Sequence, residues 1–212
     1  MPAEWSLARV LRRSAAALAL TLMPVVPSLA QSHRIEQLVT SSGIAAWLVE
    51  EPSVPLVAIR FSFGGGAAQD PEGRDGLASL MANLLVEGAG EFDSAAFASR
   101  LADTGAQLAF SATRDHLGGG LTVLSRRLEP AAELLRLALV SPRFDVAALE
   151  RVRVQRISEL ELATNEPRNL VHERWYREAF PAHPYGRPIN GTVASARLVT
   201  VADVRRLHRD LV

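Results

Sequence analysis

Hydrophobic and polar positions change period several times along the chain, and each change marks an element. Ile35 to Val39 and Ile44 to Val49 are apolar-rich runs separated by Ser41-Ser42-Gly43, a pattern that predicts two strands and a turn. Val57, Ile59, Phe61 and Phe63 alternate with Arg60 and Ser62, the period of a half-buried strand, until Gly64-Gly65-Gly66 breaks it. From Gly76 to Gly88 the period lengthens. Leu77, Leu80, Met81, Leu84 and Leu85 form one helical stripe, with Asp75 in the capping place and Gly88 and Gly90 closing the segment. A second helix, capped by Asp93 or Ser94 and carrying Phe97 and Leu101 inward, ends at Gly105. Ala106 to Thr113 and His116 to Leu124 read as strands joined at Arg114-Asp115. Gly118-Gly119-Gly120 inside the latter predicts a bulge or a close backbone contact.

The second half is helical in pattern. Glu129-Pro130 opens a helix that Pro142 stops, and Asp145 starts a long one running to about Ala163. The charges of that long helix (Arg151, Arg153, Arg156, Glu150, Glu159, Glu161) stand at spacings that suit a solvated, ion-paired face. Pro167 breaks it, and Asn169 to Phe180 is a further helix. Pro181 to Thr192 reads as a proline and glycine loop, and Thr200 caps a final helix. Strands early, two more after two helices, then helices alone: this is not the regular alternation of a doubly wound parallel sheet. It predicts an α+β domain, a mostly antiparallel sheet with helices packed on one side.

Composition narrows the function classes. The chain has 212 residues, 48% of them apolar, which is enough for one packed domain. Its 23 basic and 23 acidic residues cancel, which excludes a nucleic-acid binder driven by phosphate attraction. There is no cysteine, hence no disulfide framework and no thiolate zinc site. Arg9, Arg12 and Arg13, the apolar run Ala15 to Val26 and Ser28-Leu29-Ala30 make a secretory signal peptide over residues 1–30. The run is short for a bilayer span and is interrupted by Pro24 and Pro27, so no stable membrane span is expected after cleavage. Residues 31–212 then form a single exported domain, with a bacterial periplasm as the expected destination. That part holds 20 basic and 22 acidic residues.

Four stretches in order carry a resemblance. They are Ala67-Ala68-Gln69-Asp70-Pro71 with Gly76-Leu77-Ala78, then Leu84-Leu85-Val86-Glu87-Gly88, then Pro142-Arg143-Phe144 with Leu149-Glu150-Arg151, and last His183-Pro184-Tyr185-Gly186 with Gly191-Thr192. Together they resemble the N-terminal domain of the M16 (pitrilysin, insulinase, mitochondrial processing peptidase) family, over about Ile35 to Val212. The family's second domain of similar fold is not seen in this sequence.

The resemblance implies a zinc endopeptidase in which a His-x-x-Glu-His helix supplies two ligands and the base that polarises water, with a distal glutamate as third ligand. Here Ser79 and Asn83 stand at the histidine positions and Ala82 at the base position, while Glu159 matches the distal ligand, 76 residues beyond Asn83. Serine and asparagine are poor zinc ligands beside imidazole, and without metal or base nothing activates a water. No catalytic residue and no metal are therefore expected in this chain. The remaining histidines (His33, His116, His172, His183, His208) show no ligand spacing, although His116 lies in a strand that could approach the helix. No Gly-x-Ser-x-Gly nucleophile motif is present. The expected role is a non-catalytic subunit that forms a heterodimer with an active, zinc-bearing M16 homologue and helps enclose an extended peptide. Two alternatives stand beside it: an endopeptidase with displaced ligands, and a stand-alone peptide-binding module.

Overall fold

The computed structural model describes residues 34–212; the predicted signal peptide lies outside the described residues. The chain divides into two units, one ending at Ser53 and one running from Val54 to Val212. In the first, β1 (Ile35–Val39) pairs antiparallel with β2 (Ala45–Val49), Ile35 opposite Val49 and Val39 opposite Ala45. Thr40 closes the turn: its hydroxyl accepts from the Ile44 amide at 3.0 Å, and Gly43 takes the left-handed φ of 84° that the return requires.

The second unit is built on three antiparallel strands, β3 (Leu56–Gly64), β4 (Gln107–Ala112) and β5 (His116–Leu124), in the order β3-β5-β4. The alternation read from the sequence sets the faces. Val57, Ile59, Phe61 and Phe63 turn inward beside the buried Leu108, Phe110, Leu117, Leu121 and Val123, while Arg60, Ser62 and Ala109 face outward.

The ladder through Gly118-Gly119-Gly120 is regular, so the predicted bulge is absent. What demands glycine is a close approach of side chains. Phe61, Gly119 and Phe110 stand in one cross-strand row, and a Cβ on Gly119 would lie 2.4 Å from Phe61 Cζ and 2.8 Å from Phe110 Cδ1. The empty position lets the two rings meet edge to face across the central strand, 6.0 Å between centroids. Gly119→Ala is therefore expected to cost about 1–2 kcal/mol through overpacking, read as a lowered urea midpoint with an unchanged m-value.

Helices cover the inner face. They are α1 (Leu77–Leu84), α2 (Ser94–Thr104), α3 (Leu128–Val140), α4 (Val146–Ala163), α5 (Pro167–Ala179), α6 (Val193–Leu198) and α7 (Val201–Leu211). The stripe of α1 is fully buried in the centre of the core. This is the predicted α+β class. No helix among the described residues is long and apolar enough to cross a membrane.

Three expectations are corrected. Helix α1 stops at Leu84 rather than running to Gly88. Its N-terminus is held by Asp70 and not by Asp75: Gly76 donates to Asp70 Oδ2 at 2.8 Å and Ala78 to Oδ1 at 2.9 Å, which satisfies two amides the helix leaves free. The arginines of α4 are not one solvated face. Arg151 does pair with Glu87 at 2.6 Å, but Arg153 donates to the carbonyls of Ala196 and Val199 at the end of α6, and Arg156 is only 8% exposed. Helix α6 falls in the stretch between the predicted loop and the final helix. Thr192 and Ser195 form its capping box, as Thr200 and Asp203 do for α7.

Candidate functional site

Residues three and four apart on a helix share a face, so α1 sets Ser79 and Asn83 one above the other. Ser79 is 8% exposed and its hydroxyl donates to Asn190 Oδ1 at 2.9 Å, a link across 111 residues. Asn83 is half-buried, and its amide makes no hydrogen bond among the described residues. Ala82 is 1% exposed and belongs to the hydrophobic core. The three motif positions thus present a hydroxyl tied to a loop, a buried methyl and a free amide. Glu159 sits on α4, which packs against α1, and its carboxylate is held on its own helix by Gln155 Nε2 at 3.0 Å and Arg156 Nη1 at 3.5 Å. Among the described residues, no three His, Cys, Asp or Glu side chains cluster as metal ligands.

The described histidines are each spent elsewhere or isolated. His208 contacts the Leu139 carbonyl at 2.9 Å and stacks edge-on to Phe144; burial holds its imidazole below the ordinary value. His183 accepts from the Tyr185 amide, His172 lies against Tyr176, and His116 is exposed at the start of β5. His33 lies outside the described residues.

Two glycines bring Asn190 to Ser79. Gly191 has φ of 75°, and a Cβ there would lie 2.1 Å from the Asp75 carbonyl oxygen; a Cβ on Gly76 would lie 2.6 Å from the Asn190 carbonyl carbon. The loop therefore lies backbone to backbone against the start of α1. Ser195 Oγ donates to the same Asp75 carbonyl at 2.8 Å. Arg187 completes the seam, donating to the carbonyls of Asp70 at 2.7 Å and Ala68 at 3.0 Å and standing 3.3 Å from the Asp75 carboxylate. Asp70, 4% exposed beneath this seam, has its pKa raised to about 6: desolvation outweighs the amides of Ala78 and Gly76 and the charge of Arg187.

A cavity of about 270 Å³ opens beside the seam, between α4, α5 and residues 186–190. Arg114, Asn169, Tyr176, Arg177 and Asn190 are among its walls. The Arg114 guanidinium lies 3.4 Å over the Tyr176 ring, and its Nε donates to the Tyr185 carbonyl at 3.2 Å. These residues come from three separate stretches, and none of them stands out along the sequence as a candidate. The one local signal is Arg114, placed at a predicted strand turn.

The sequence profile of the family described as Insulinase (Peptidase family M16) matches residues 46–193. The chain belongs to this family. Among curated M16-like relatives, the Non-peptidase homolog YmxG of Helicobacter pylori (strain ATCC 700392 / 26695) is 25% identical over 185 residues, 87% of this chain and 43% of that protein. Cytochrome b-c1 complex subunit 1, mitochondrial, of Bos taurus is 23% identical over 155 residues, 73% of this chain and 32% of that one. The crystal structure of a peptidase M16 inactive domain from Pseudomonas fluorescens superposes with a TM-score of 0.76 and 26% identity, covering 82% of this chain and 43% of that one. The M16 chain described here spans less than half the length of the curated relatives it matches.

Proposed function

We propose that this chain is a non-catalytic M16 subunit that pairs with an active, zinc-bearing homologue and helps enclose an extended peptide. The observation that carries the reading is the donor set on α1: Ser79 and Asn83 where two imidazoles would stand, and the core methyl of Ala82 where a base would stand. A hydroxyl, an amide and one carboxylate do not fit zinc, which takes three donors from histidine, carboxylate or thiolate and keeps a fourth position for water. No hydrolytic step can be assigned to these residues, because neither a metal-bound water nor a positioned base is available. The resemblance to proteins named as a non-peptidase homolog and as an inactive domain supports the reading, as does the likeness to a subunit of a larger complex.

The sheet edge supports the peptide part of this reading. Strand β4 is an edge of the three-stranded sheet and packs beside α1, the helix that carries Ser79, Ala82 and Asn83. An extended segment could add there as a further strand. Export to a periplasm, with cleavage after Ala30, belongs to the same proposal, and N-terminal sequencing of the secreted protein tests it.

The decisive experiment uses the purified chain with and without an M16 homologue bearing His-x-x-Glu-His. The chain alone is expected to carry no stoichiometric zinc by atomic spectroscopy and to leave peptides intact. Mixed with the homologue, it is expected to co-elute at the mass of a heterodimer and to raise peptide turnover. Hydrolysis by the chain alone that a chelator abolishes would sink the reading.

A further inference from the structure

Charge in the cavity beside the seam is unbalanced. Three arginines line it, and only one is fully employed: Arg187 is spent on two carbonyls and on Asp75. Arg114 is half-buried and pinned by Tyr176 and the Tyr185 carbonyl through its ring contact and Nε, which leaves its terminal nitrogens without a partner among the described residues. Arg177 makes no hydrogen bond or ion pair among the described residues. Against them stands one lining carboxylate, Glu173, which is exposed and also unpaired among the described residues. The neighbouring Asp115 is engaged by the Tyr185 hydroxyl at 2.5 Å. Two guanidiniums with free donors thus meet at one opening, flanked by the amides of Asn169 and Asn190.

We propose that this cavity receives a carboxylate: the Asp or Glu side chain of a peptide held on the β4 edge. The proposal rests on the peptide-holding reading above and deepens it by naming the substrate class. Its position follows from topology. Arg114 stands two residues beyond Ala112, the last residue of β4, so a segment paired along Gln107–Ala112 runs off the strand end toward the opening. Its size follows from the volume. About 270 Å³ lies below the roughly 300–1,000 Å³ of whole small-molecule sites and suits one side chain with its water. Its chemistry follows from the donors. The planar guanidinium forks match a carboxylate in paired hydrogen bonds, and Arg114 is held in place before any ligand arrives. A lysine or arginine side chain is refused there by like charge.

Labelled peptides with amidated C-termini, differing only by Glu against Gln at one position scanned along the sequence, test this by fluorescence anisotropy with the full chain. At one register the Glu peptide is expected to bind about tenfold tighter than the Gln peptide, and the advantage should shrink with added salt. Arg177→Ala should cut it to about threefold or less, with Arg177→Lys keeping part of it, since Arg177 is exposed and makes no hydrogen bond or ion pair among the described residues. Equal binding of Glu and Gln peptides at every register would overturn the carboxylate site and leave the peptide-holding reading standing. A Gln peptide with a free C-terminus that matches the Glu peptide would overturn the side-chain assignment. No binding of any peptide, alone or with the active homologue, would overturn both.

Discussion

Gly191→Ala is expected to destabilise the second unit by about 4 kcal/mol, near the top of the range for single substitutions. Two costs add. The left-handed φ of 75° is strained for any residue with a Cβ, at about 1–2 kcal/mol. The larger cost is contact: the new Cβ would stand 2.1 Å from the Asp75 carbonyl oxygen, which is backbone, and 2.9 Å from Ser195 Oγ, a hydroxyl held by the Asp75 and Thr192 carbonyls. Relief requires the loop to leave the start of α1, which breaks the bond from Ser195 to Asp75 and the bond from Ser79 to Asn190 together. Gly105→Ala separates the two costs. Gly105 also has positive φ, 64°, but a Cβ there meets nothing within 4 Å, so only the conformational part of about 1–2 kcal/mol is expected. Urea denaturation of the three proteins measures the difference. Equal losses for the two variants would show that the loop is not seated on α1 as described.

That seam also marks where local sequence pattern stops being informative. Strands and long helices are legible because their periods are local: Val57 to Phe63 alternates, the α1 stripe recurs at helical spacing, and Asp93 stands directly before the helix it caps. The placement of Ser79, Ala82 and Asn83 is legible for the same reason, since they occupy fixed offsets on one helix. Asp70 escapes recognition as a cap because it reaches Gly76 and Ala78 from six and eight residues away, outside the usual capping offset. Arg153 and Arg156 look solvated in the sequence because charge spacing on a helix says nothing of what packs on that face. Here the end of α6 supplies carbonyls to Arg153. The cavity is invisible for a stronger reason: Arg114, Tyr176, Arg177 and Asn190 meet only when a strand turn, a helix and a loop are brought together.

Asp70 turns the same seam into a dependence on pH. Its folded pKa of about 6 lies above the 3.8 of the unfolded chain, so the folded protein holds an extra proton between those values. Stability from this group is fully present below about pH 3.8 and is lost as pH rises through about 6. The rise from 3.8 to about 6 is equivalent to roughly 3 kcal/mol. Other carboxylates titrate in the same window, so the test is a difference between proteins. Asp70→Asn is neutral at every pH and keeps one acceptor oxygen, so it gives up one of the two amide bonds at Gly76 and Ala78. That loss is nearly constant with pH at about 1–3 kcal/mol, whereas the relief from burying a charge appears only above the folded pKa. The variant is therefore expected to be the less stable protein at pH 4 and to gain about 3 kcal/mol on the wild type by pH 7. Parallel urea midpoints across pH 4–7.5 would show that Asp70 titrates alike in the folded and unfolded chain. A wild type that instead gains on the variant as pH rises would mean that the two amides and Arg187 outweigh desolvation, and the carboxylate would then be a stabilising anchor for α1.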